Sequence, residues 1–198
     1  MANTFVSFCI PTQLGSFSAG YSNYGFELYK ENKFAIGYAA KIAENFSIGV
    51  STFYHNVSIK NYGSKGAIVF NLGSIVRLNE QIGLGFSVMN VTRSTITNES
   101  NDIPTVIWLG TDLNFAKDIV FNAAIKKEIG FNPSIRLGAE YSLLDFLQLR
   151  IGASNEPDTY SGGFGIIYQF VQFDYAFSSH TDLGLTHQFG LIIRFTNN

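Results

Sequence analysis

The chain has 198 residues, of which 46% are hydrophobic, 15% aromatic and only 14% charged, with a net charge of −2. A soluble domain carries about a quarter charged residues, so this surface is not covered in the ordinary way. The near-neutral balance leaves no footprint for nucleic acid, no apolar run reaches the ~18 residues of a transmembrane helix, and the single Cys9 excludes an internal disulfide.

Apolar and polar or small residues alternate with a period of two from one end of the chain to the other, the signature of strands with two unlike faces. Val6, Phe8 and Ile10 alternate with Ser7 and Cys9, and Phe17, Ala19 and Tyr21 with Ser18 and Gly20. Phe34, Ile36, Tyr38 and Ala40 are followed, after a turn at Ala43-Glu44-Asn45, by Phe46, Ile48, Val50, Thr52 and Tyr54. A glycine-bearing loop from Asn61 to Gly66 precedes Ile68, Phe70, Leu72 and Val76, and Asn79-Glu80-Gln81 turns into Ile82, Leu84, Phe86 and Val88. The polar, aperiodic stretch from Thr92 to Asp102 reads as the longest loop. Ile107 to Leu113 and Ile119 to Ile125 form the next pair of strands, with Trp108 on the opposite face from Ile107 and Leu109.

Ile135, Leu137, Ala139 and Tyr141 then pair with Leu147, Leu149, Ile151 and Ala153 as a hairpin, because the break between them is short. Phe164 to Phe170, Val171 to Phe177 and Phe189 to Phe195 complete about thirteen strands. No convincing helical period intervenes.

The polar faces decide between a soluble β-fold and a membrane barrel. They hold mostly Gly, Ser, Ala, Asn and Gln with isolated arginines, a poor surface to offer to water. Aromatics sit near strand ends, at Tyr54, Tyr141, Phe146, Tyr168, Phe170 and Phe195, where an interfacial girdle needs them. The sequence therefore predicts an all-β, antiparallel up-and-down transmembrane β-barrel, with its apolar face in lipid and its polar face lining a lumen.

The charges of that inner face are the candidate site. Residues paired across a hairpin share a face, so Glu140 lies opposite Gln148 or Arg150, and in either register within reach of Arg150. A Glu140–Arg150 ion pair is expected, with Asp174 and Arg194 as a second, looser pair. Arg136, Glu140, Gln148, Arg150, Asp174 and Arg194 together form the predicted lumen network. Nothing marks catalysis, a cofactor or a metal. His55, His180 and His187 lack ligand spacing and read as loop and rim histidines. Asp182-Leu183-Gly184 reads as a glycine-fixed loop. Ser161-Gly162-Gly163-Phe164-Gly165 opens a strand with no helix after it, so it reads as strand crowding or lumen clearance rather than a phosphate cradle.

The runs LGAEYSLLDFLQLRIGAS and GGFGIIYQFVQFDYAFSSHTDLGLTHQFGLIIRF resemble the FadL-like outer-membrane barrels of Gram-negative bacteria, most of all the PorV/PorQ group associated with type IX secretion and its uncharacterised relatives. Asp174-Tyr175-Ala176-Phe177, the segment from His180 to His187 and the closing strand carry the resemblance. Tyr38-Ala39-Ala40-Lys41, Ser47-Ile48-Gly49-Val50 and the stretch from Tyr62 to Gly66 fit it upstream. Relatives of this kind begin with a signal peptide, a segment folded into the lumen and a first strand. Residues 1–198 read as one barrel domain lacking these, with about thirteen strands of fourteen. The resemblance implies an outer-membrane location, contact with outer-membrane lipid, and a channel for small hydrophobic compounds. Its alternative is a docking or shuttle barrel whose partners are secretion-system proteins.

Overall fold

The computed structural model describes residues 2–97, 103–180 and 184–195. Thirteen strands follow one another: β1 (Ala2–Thr12), β2 (Gly15–Phe26), β3 (Tyr29–Ala43), β4 (Phe46–Ile59), β5 (Gly63–Arg77), β6 (Ile82–Met89), β7 (Val106–Ala116), β8 (Ile119–Glu128), β9 (Ser134–Leu144), β10 (Leu147–Ser154), β11 (Thr159–Tyr168), β12 (Val171–His180) and β13 (Gly184–Ile193). Each is hydrogen-bonded to its neighbours in sequence, in a single sheet of up-and-down order. Part of the long loop (98–102) and of the loop containing Asp182 (181–183) lie outside the described residues.

The chain divides into two compact units, one of Met1–Arg77, Gly85–Trp108 and Glu128–Gly130, the other of Leu78–Leu84, Leu109–Lys127 and Phe131–Asn198. In the first unit the registers bring the apolar positions level with one another. Phe34 pairs with Tyr54 and Tyr54 with Ile68, while Tyr38 pairs with Val50 and Val50 with Leu72. The apolar runs Phe34–Ile42, Phe46–Tyr54 and Ile68–Val76 are each about nine residues, the length a tilted strand needs to cross hydrocarbon.

The strands that carry these runs are longer than the alternation predicts. β3 and β5 have 15 residues and β4 has 14. Most of the expected loop from Asn61 to Gly66 belongs to β5, and Tyr29 to Lys33 belong to β3. The apolar pattern marks only the part of a strand that meets lipid. Beyond it the backbone ladder continues with polar side chains, including an Asn23 Nδ2 to Asn32 Oδ1 bond of 2.9 Å. At the tips the Lys60 amide donates to the Leu28 carbonyl at 3.0 Å, and Lys60 Nζ reaches Glu27 Oε1 at 2.5 Å. That exposed ion pair contributes little by itself.

In the second unit the same alternation holds on β9 to β13. Leu149 is 40% exposed and Ile151 70%, whereas Arg150 between them is half-buried. On β1 and β13, by contrast, nearly every position of both faces is exposed. Among the described residues the buried apolar side chains are Val69, Ile103 and Val106, while dozens of large apolar residues stand exposed. Leaving each in water would forgo about 1.5–3 kcal/mol of burial and present a contiguous apolar surface of a kind soluble proteins rarely expose. The exposed face is therefore a lipid face.

Leu149→Arg is accordingly expected to destabilise the protein by about 2–4 kcal/mol, measured by urea titration of chain folded into lipid vesicles. A change within ~0.5 kcal/mol, ordinary for a solvated surface position, would show that Leu149 does not meet lipid.

Candidate functional site

Glu140 and Asp174 of the second unit converge on the guanidinium of Arg150. β9 and β10 pair so that Arg150 stands directly opposite Glu140, with a register shift between Leu147 and Gln148. Of the two registers open to the sequence, this irregularity selects Arg150. Arg150 Nε donates to Glu140 Oε2 at 2.6 Å, and Arg150 Nη2 donates to Gln148 Oε1 at 2.8 Å.

The third arm of the guanidinium reaches further. Arg150 Nη1 donates to Asp174 Oδ1 at 2.6 Å, although Asp174 lies on β12 and β11 intervenes. On β11 the residue paired with both Gln148 and Asp174 is Gly165, and the residue paired with Arg150 is Gly163. A Cβ on Gly165 would stand 2.7 Å from Asp174 Oδ1 and 3.4 Å from both terminal nitrogens of Arg150. The glycine thus leaves the space in which the ion pair forms. Clearance, inferred from the run Ser161 to Gly165, has a definite occupant at Gly165.

Asp174 also accepts from Gln172 Nε2 through both carboxylate oxygens, each at 2.9 Å, and Arg194 Nη2 donates to Gln172 Oε1 at 2.6 Å. The looser pair expected between Asp174 and Arg194 is therefore indirect. Asp174 bonds Arg150, and Gln172 stands between it and Arg194. Gln172, only 4% exposed, is the member that parity arguments missed. Its signal was its place two residues before Asp174 on the same face. Arg136 lies on this face of β9, opposite Ser154, and is not among the residues gathered round Arg150.

The histidines differ from their expected places. His55 lies within β4, is 8% exposed, and its Nε2 is 3.0 Å from Glu31 Oε2, whose other oxygen accepts from the Tyr29 hydroxyl at 2.7 Å. His187 lies within β13 on the apolar face, with Nδ1 2.9 Å from the Tyr175 hydroxyl. In both cases the partner comes from a neighbouring strand, which spacing along the chain does not reveal. The side chain of His180 is outside the described residues.

Chemically the Arg150 group is a set of charge-assisted hydrogen bonds that ties β9, β10 and β12 together on the polar face. It holds no nucleophile beside a base and no arrangement suited to acid–base catalysis.

No family model and no curated protein matches the sequence. Solved structures do match the fold. The toluene transporter TbuX of Ralstonia pickettii superposes with a TM-score of 0.76 at 11% identity, over 97% of this chain and 81% of that one. The Pseudomonas putida toluene transporter TodX gives 0.68 at 11%, over 89% and 76%. A Pseudomonas aeruginosa FadL homologue gives 0.62 at 12%, over 89% and 68%. The fold is that of FadL-like outer-membrane β-barrels, in which the apolar face meets lipid and the polar face the interior.

Arg150→Leu leaves two carboxylates without their cation and is expected to cost about 1–3 kcal/mol. A double-mutant cycle with Glu140→Gln should return a coupling of about 0.5–3 kcal/mol, and no coupling would mean that the pair contributes nothing to stability. A second cycle, Arg150→Leu with Asp174→Asn, should lose its coupling when Gly165→Ala is added. Persistence of that coupling would show that the glycine gap is not what admits the pair.

Proposed function

We propose that the protein is an outer-membrane channel for small hydrophobic compounds. One observation carries this reading: the chain exposes most of its large apolar residues on one face and pairs Glu140 and Asp174 with Arg150 on the other, in the fold of toluene transporters. A wall built in this way is stable only in a membrane. The bacterial outer membrane is the location in keeping with it. The polar face supplies small side chains, Ser18, Gly37, Ser51 and Gly73 among them, past which an apolar solute slides without strong hydrogen bonds to break. The Arg150 network acts here as a brace between strands, since its carboxylates and guanidinium satisfy one another. The protein-docking alternative gains no support from these folds.

Reconstitution tests the reading. Vesicles containing the folded chain should take up toluene severalfold faster than empty vesicles, and faster than they take up a polar solute of similar size such as glucose. Equal toluene uptake by loaded and empty vesicles, with the chain shown to be folded by heat-modifiable migration in a detergent gel, would remove the channel function.

A further inference from the structure

Two valines of the first unit are buried on the polar face. Val69 of β5 is 0% exposed and Val106 of β7 is 3% exposed, each on the polar face of its strand. The face does not bury apolar residues by itself, because Ile75, further along the same face of β5, is 52% exposed. Phe53 of β4 stands opposite Val69 on the same face, but an in-plane neighbour does not by itself close a sheet face to 0% exposure, so cover from above the sheet is needed as well.

The connection between β6 and β7 is the element at hand. Its Ile103 is 4% exposed, and it is tied at its base by Asn90, which is 0% exposed with φ of 56°. Asparagine tolerates this left-handed conformation better than most residues. The Asn90 amide donates to Asn71 Oδ1 at 3.0 Å, and Asn71 sits on the polar face next in line after Val69. Asn90 Nδ2 donates to the carbonyls of Ser94 at 3.0 Å and Ile103 at 2.9 Å. Asn90 Oδ1 accepts from the Ser94 amide at 2.7 Å, and the Thr105 hydroxyl donates to the Asn90 carbonyl at 3.2 Å. One side chain thus gathers the near and far ends of the connection and fixes them against the polar face. Fully bonded, the buried amide is no burden; deprived of partners it would be. The knot and the buried apolar residues are one construction.

We propose that the Asn90-knotted base of this connection is a resident cap on the polar face over Val69 and Val106, and that Ile103 limits the size of apolar solute passing it. The size limit rests on the channel reading; the cap does not.

Thiol labelling tests the cap without reference to transport. In chain carrying Cys9→Ser and folded into vesicles, Val69→Cys should react with a hydrophilic maleimide about tenfold more slowly than Ser18→Cys, an exposed position of the polar face, and Asn90→Ala should remove most of that difference by opening the segment. Equal rates at the two positions, or protection that survives in folded Asn90→Ala protein, would overturn the cap. If Asn90→Ala fails to fold, Ile103→Gly replaces it under the same criteria. Uptake tests the limit: Ile103→Ala should raise pyrene uptake relative to toluene severalfold, and Ile103→Trp should lower it. An unchanged ratio overturns the size limit. Failure of the unsubstituted chain to take up either probe overturns the channel reading and the limit with it, while labelling still decides the cap.

Discussion

Hydrocarbon offers no hydrogen bonds, so every backbone N–H and C=O that crosses it must be satisfied by the protein itself. The ladder from β1 to β13 meets that constraint between each strand and its neighbours in sequence. Other features follow from it. A strand in a ladder alternates its side chains, so one set necessarily meets lipid and the other does not. Leu149 and Ile151 are then obliged to be apolar, and Arg150 between them is obliged to find its partners on the opposite side. The same alternation makes charge expensive to place alone, because a residue cannot turn to the other face without a register slip.

That obligation explains why the polar face is a place of pairs. Arg150 spends its guanidinium on Glu140, Asp174 and Gln148, three oxygens within 2.8 Å. A lysine in its place would present one point of charge and could not fork between strands. Reaching Asp174 requires passing over β11, and a side chain at Gly165 would occupy the path. A glycine in mid-strand forgoes side-chain packing and costs conformational entropy. Here the loss admits an ion pair that ties β12 to β10.

The fold was legible because period two is the strongest signal a strand emits, and thirteen such runs leave few other architectures. The Glu140–Arg150 pairing was legible to within one register, since parity restricts partners to even numbers but does not say which. The irregularity between Leu147 and Gln148 makes that choice, and no residue type announces it. Asp174 was assigned to Arg194 because sequence reasoning pairs neighbours, whereas the guanidinium spans a whole strand. Strand ends were misplaced for a different reason. The hydrophobic pattern reports where lipid begins, while hydrogen bonding carries β3 to β5 past that line. Asn90 was silent: an asparagine before a polar loop looks like any turn residue until the carbonyls it gathers are known.

The two units treat the polar face in contrasting ways, and both obey the rule that a buried group must have its partners. Around Arg150 the face is held by charges that neutralise one another, open enough that Arg150 keeps 37% of its side-chain exposure and Glu140 30%. Around Val69 the face is closed, with Val69 and Asn90 at 0% exposure and the Asn90 amide fully bonded. A hydrophobic solute must displace water from the first kind of surface, and reaches the second only where its cover gives way. Within the channel reading, the patch around Val69 and Ile103 is therefore where an apolar solute is discriminated by size. The Arg150 group resists collapse of its own strands without binding the solute, because its strong donors and acceptors are already spent on each other.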